Sequence, residues 1–99
     1  MKLLRVYTSP RNGKKLRAEF QQDSGRITHT DFGAAGFRDY TLIEDKATAD
    51  DVRRRYWARH RGELGNPPDS PGMLSLYILW GWSQNVEENV RRYKKMLHL

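Results

Sequence analysis

The side chains most able to do chemistry gather around one histidine. Thr48 as an N-cap, with Asp50 and Asp51 in the first turn, predicts a helix from about Ala49 to His60. At 100° per residue His60 falls mid-way along its apolar stripe, with Val52, Tyr56, Ala49, Leu64 and Trp57 to either side and Arg53 beside it. A histidine so placed is either a core residue held by a backbone carbonyl or carboxylate, the commoner case, or a catalytic base or ligand. Arg53 is costly to bury alone, so a carboxylate from Asp39, Glu44 or Asp45 is its expected partner. Asp39, Asp45, Arg53, Arg59 and His60 are therefore expected to form a structural polar cluster. Acid–base work by Asp39 and His60 would require both to converge in a cleft.

Other chemistries find no footing. The three histidines, His29, His60 and His98, lie far apart and the chain has no cysteine, so no metal-ligand spacing exists. No serine stands in a Gly-x-Ser-x-Gly setting, and neither a Walker loop nor a dinucleotide fingerprint occurs. No catalytic residue, metal or cofactor is expected. Gly33-Ala34-Ala35-Gly36 has the bare form of a GxxG nucleic-acid clamp, but it follows a strand rather than joining two helices, which favours a structural turn.

Charge is more informative. The net charge of +6 is spread over three basic blocks separated by two acidic segments. Arg11, Lys14, Lys15 and Arg17 belong to the first, Arg54, Arg55 and Arg61 to the second, and Arg91, Arg92, Lys94 and Lys95 to the third. These are the expected nucleic-acid or polyanion contacts, because lysine and arginine that neutralise phosphates release counterions. Tyr7, Tyr56, Trp57, Trp80 and Trp82 supply rings on which bases could stack, although Tyr56 and Trp80 also read as core. Trp57 and Trp82, if exposed, would equally serve a protein partner.

The elements that must position these residues read as α+β. Asn12-Gly13 signals a type I′ hairpin between strands near Lys2–Thr8 and Lys15–Gln21, where Leu16, Ala18 and Phe20 alternate with charged residues. Asp23-Ser24-Gly25 turns the chain into a third strand, Arg26–Phe32, completing an antiparallel meander. Phe32 and Phe37 are expected to anchor the Gly33–Gly36 turn at both ends. About three helices follow. The one at about 72–81, opened by Ser70-Pro71, is apolar on nearly every side and should be buried. Ser83 is the expected cap of the last, whose stripe is Val86, Val90, Tyr93 and Leu97. All 99 residues form one domain.

The run FGAAGFRDYT, then Asp45, the helical RRRYWARHRGE and finally NPPDSPGMLSLYILWG resemble an uncharacterised family of short basic proteins. Its members are encoded by large double-stranded DNA viruses of algae and amoebae and by some phages. The resemblance covers roughly residues 30–97, and Glu44 and the Gly62–Gly65 stretch depart from its pattern. It implies a viral setting without supplying an activity. The function expected is non-enzymatic binding of nucleic acid or another polyanion, with a virion-structural or host-protein interaction module as the alternative. Lack of cysteine, of a leader-like N-terminus and of an apolar run near ~20 residues points to an intracellular or virion protein with no membrane partner.

Overall fold

Lys2–Thr8 (β1), Lys14–Gln21 (β2) and Ile27–Ala34 (β3) pair in the computed structural model, which describes residues 1–99, as an antiparallel sheet of order β1-β2-β3. The alternation in β2 is what makes it one-sided. Ala18 and Phe20 are fully buried, and Phe20 sits opposite Leu3 while Leu16 sits opposite Phe32. A bulge between Leu3 and Arg5 leaves Leu4 exposed at the edge. On the outer face, Arg17 stands across from Asp31 and Arg5 across from Glu19, so the second surface is laced by cross-strand ion pairs.

The hairpin turn is longer than a two-residue type I′ connection. Only Gly13 has positive φ, Asn12 does not, and Lys14 donates its backbone N–H to the Arg11 carbonyl at 3.2 Å. Pro10, with its fixed φ, and Ser9, whose hydroxyl bonds both the Arg11 N–H and the Asp31 carboxylate, stabilise this five-residue loop instead.

Three helices follow the sheet: α1 (Lys46–Arg59), α2 (Pro71–Leu74, running directly into a π-helical segment, Ser75–Leu79) and α3 (Val86–Leu97). α2 and the π segment lie against β3, and α3 packs on the π segment. A short 3₁₀ turn, Arg61–Glu63, follows α1. The caps differ from those expected. Asp45, not Thr48, caps α1: its carboxylate accepts both the backbone N–H and the hydroxyl of Thr48. A carboxylate is the stronger acceptor and suits the positive end of the helix dipole. The bonds from the Thr48 hydroxyl and then its N–H hold the Asp45 carboxyl below its ordinary value. Likewise Asn85, not Ser83, caps α3 by accepting from the Glu88 N–H, leaving Ser83 to bond Asn89.

The core joins Leu3, Ala18, Phe20 and Phe32 of the sheet to Ala49, Met73, Leu74, Ile78, Leu79, Trp80 and Tyr93, with Tyr40 and Ile43 from the β3–α1 loop. The all-round apolar stretch is buried as its composition requires, but its second half widens to i→i+5 bonding, with the Trp80 N–H on the Ser75 carbonyl at 3.1 Å. Gly81 ends this segment where only a glycine fits, because a Cβ there would lie 1.8 Å from the Tyr77 carbonyl oxygen. No helix is long and apolar enough to cross a membrane.

Candidate functional site

A cleft of about 570 Å³ opens where the β2–β3 end of the sheet meets α1 and the α2–π segment. Each wall has a local cause. Gly33, near the end of β3, and Gly36, in the turn after it, both have positive φ, and Gly33 also lets the strand approach the π segment, since a Cβ there would stand 2.6 Å from a methyl of Leu79. That turn carries Phe37 and Arg38 to the cleft mouth. The floor is Phe32, Tyr56, Leu79 and Trp80, and Lys14, Lys15, Arg38 and Arg59 supply its cations.

Asp39 is the buried acid of the cleft. One oxygen accepts the backbone N–H and hydroxyl of Thr41, and the other pairs with Lys15 Nζ at 2.7 Å. Their side chains are only 3% and 15% exposed, so Lys15 is committed to this internal pair. Lys14, Arg38 and Arg59 have no carboxylate within salt-bridge distance.

The expected polar cluster does not form. Asp39 and Arg59 share the cleft, Asp45 is an exposed helix cap, and His60 lies outside the lining. The His60 ring stacks on Tyr56 at 4.0 Å, and Tyr56 stacks on Trp80 at 4.3 Å with the planes 9° apart. His60 is thus neither held by a carboxylate nor converged with Asp39. Burial pushes the Tyr56 hydroxyl above its ordinary value.

The carboxylate expected for Arg53 is also absent. Arg53 Nε donates to the Gly81 carbonyl at 2.7 Å, and its guanidinium lies over the rings of Tyr40 and Trp57. The nearby acids are taken: Asp39 by Lys15 and Thr41, Asp45 by Thr48, while Glu44 is exposed. A turn carbonyl with no helical partner is the acceptor the chain places in reach.

The basic blocks separate on folding. Arg17 is bound to Asp31 through two bonds, at 2.8 and 3.1 Å, and Arg54 and Arg55 share Asp51. Arg92 pairs with Glu88, whereas Arg11, Arg61, Arg91, Lys94 and Lys95 are exposed without an ion-pair partner. Of the expected contacts only Lys14 and Lys15 reach the cleft. Arg38 and Phe37 were not foreseen there: Phe37 is 72% exposed rather than a buried anchor. Trp57 is half-buried with its indole N–H on the Trp80 carbonyl, leaving Trp82 the more open indole.

The Arg17–Asp31 pair makes a prediction about acid. Hydrogen bonds from Arg17 and Ser9 hold the Asp31 carboxyl well below its ordinary 3.8. A depressed folded pKa contributes stability that is complete above the unfolded value and is lost as pH falls through the folded one. Thermal melts from about pH 5 down to about pH 2 should therefore show wild type losing stability more steeply than Asp31→Asn, with the largest gap at the upper end. Parallel profiles would remove this pair from the acid response.

Residues 4–60 match a family described as a family of unknown function, DUF5754. The match spans more than half of the chain, and the chain belongs to that family. It runs through the three strands and α1 and includes Lys14, Arg38, Asp39 and Arg59. No curated protein and no solved structure matches the chain.

Proposed function

We propose that this member of the DUF5754 family is a non-enzymatic binding protein whose ligand is a phosphate-rich polyanion, nucleic acid above all, held at the cleft between the sheet and α1. The observation that carries the reading is the meeting there of Lys14, Arg38 and Arg59, three cations from separate stretches of chain with no internal acid to neutralise them. Cations left unpaired around an aromatic-floored cleft suit a ligand that is anionic at its edge and flat or apolar in its body. Arg11, Arg61, Arg91, Lys94 and Lys95 add a diffuse positive field that favours encounter. The likeness of residues 30–97 to short basic proteins of large DNA viruses supports a viral setting, with the protein in the host cell interior or the virion.

The reading is tested by the salt dependence of binding to a fluorescent oligonucleotide. Changing Lys14, Arg38 and Arg59 together to glutamine should lower the slope of log affinity against log salt by about 2–3, near 0.7–0.9 for each phosphate no longer neutralised. An unchanged slope would move the interface away from the cleft. Absence of binding at low salt would end the proposal.

A second reading, a protein-interaction module, draws on the exposed side chains of Phe37, Leu42 and Trp82. Partners retained on the immobilised protein after nuclease treatment of a host lysate would favour it.

A further inference from the structure

Resting on that reading, we infer that the cleft recognises single-stranded nucleic acid by seating one unpaired base against Phe37, and that the protein thereby separates single strands from duplexes. The aromatic inventory of the cleft leads to this. Tyr56 and Trp80 line it, but their faces are spent on each other at 4.3 Å, and the far face of Tyr56 is covered by His60. Phe37 is the lining ring left uncovered, 72% exposed on a turn that two positive-φ glycines hold at the cleft mouth. A phenylalanine held in water beside three unpaired cations fits a π-faced ligand with an anionic linker, which is the chemistry of a nucleotide within a strand.

Size and construction agree. A cleft of about 570 Å³ is in the range that encloses a ligand of small-molecule size. A paired base is out of its reach, because a duplex keeps its bases stacked and presents only phosphates to the rim. The floor is also built from an uncommon backbone: the π-helical run Ser75–Leu79 places Ser75, Leu79 and Trp80 on the cleft, packed to contact against Gly33. π-Helical turns gather at functional sites because wider winding costs backbone bonding and persists where side-chain placement requires it. Ser75 gives the cleft a hydroxyl for the edge of a base.

The test uses the full chain at low salt with three probes: fluorescein-labelled oligothymidylate, a hairpin duplex of equal phosphate count, and polyglutamate as competitor. Oligothymidylate should bind about tenfold tighter than the duplex, the effect of one stacked base. Phe37→Ala should abolish that preference while leaving the salt slope and the melting temperature unchanged, since this ring lies in solvent. Equal binding of strand and duplex, with Phe37→Ala neutral, would overturn base seating and leave the polyanion reading standing. Failure of both nucleic acids to bind would overturn both. Displacement of oligothymidylate by polyglutamate of equal charge at equal concentration would show that the cleft reads charge alone, and would also overturn the inference.

Discussion

Replacing Asn89 with alanine is expected to lower the stability of the fold by about 3–4 kcal/mol, measured by urea or thermal denaturation. Asn89 is completely buried on α3 and uses both ends of its amide. Nδ2 donates to the carbonyls of Ile78 and Ser83 at 2.9 and 2.8 Å, and Oδ1 accepts the N–H and hydroxyl of Ser83 at 2.9 and 3.0 Å. Ile78 belongs to the π-helical segment, whose carbonyls cannot all find partners within the helix, and Ser83 to the tight turn after Gly81. Alanine would strand the Ile78 carbonyl in the core, take from half-buried Ser83 the partner of its N–H and carbonyl, and leave a cavity as well. For a domain whose whole stability is of order 5–15 kcal/mol, that is a large share. Asn89→Asp should be nearly as damaging, because a carboxylate of the same shape cannot donate to the two carbonyls. A variant within about 0.5 kcal/mol of wild type would show that the turn finds other partners.

That residue also shows where the sequence stops being legible. Asn89 is spaced three from Val86 and four from Tyr93, the periodicity of a buried stripe, yet an amide among charged residues reads as surface. Its burial is decided by carbonyls six and eleven positions away that are orphaned only once the π segment forms. The sheet was legible for the opposite reason. Leu16, Ala18 and Phe20 alternate within one strand, and Gly13 and Gly25 mark its ends, so local order already contains the answer. The apolar Met73–Trp80 run announced its burial by composition, but not its widened winding.

The cleft is intermediate. Arg59 falls at the border of the apolar stripe of α1, and Phe37 and Arg38 follow a glycine turn whose direction no spacing reveals. The expectation of a carboxylate for Arg53 failed because sequence spacing shows which acids are near, not which are already engaged. Asp39 had gone to Lys15, 24 residues earlier, and the Gly81 carbonyl lay 28 residues later. Pairings across such distances are set by how the helices land on the sheet.

The Lys15–Asp39 pair yields the second large effect, one that ties stability to the proposed binding. With side chains 15% and 3% exposed, neither charge can be left alone cheaply. Asp39→Ala should cost about 3–5 kcal/mol, since it strips Lys15 of its counter-charge and Thr41 of its acceptor. Asp39→Asn keeps an acceptor for the Thr41 N–H and should cost less, about 2–3 kcal/mol. Lys15→Met should destabilise by a similar amount, through an acid left buried without its cation. Stability therefore moves in one direction whichever partner is removed.

Binding moves in two directions. Asp39→Asn releases Lys15 into a cleft that already holds Lys14, Arg38 and Arg59, so polyanion affinity at low salt should rise and the salt slope should steepen by about 0.7–0.9. Lys15→Met leaves the Asp39 carboxylate facing the ligand, so affinity should fall below wild type. A generally damaged fold would lower affinity in both variants, and a cleft irrelevant to binding would change it in neither. Opposite signs of affinity with like signs of stability, measured on the same two proteins, are the signature of a buried pair that sets the charge of a working site.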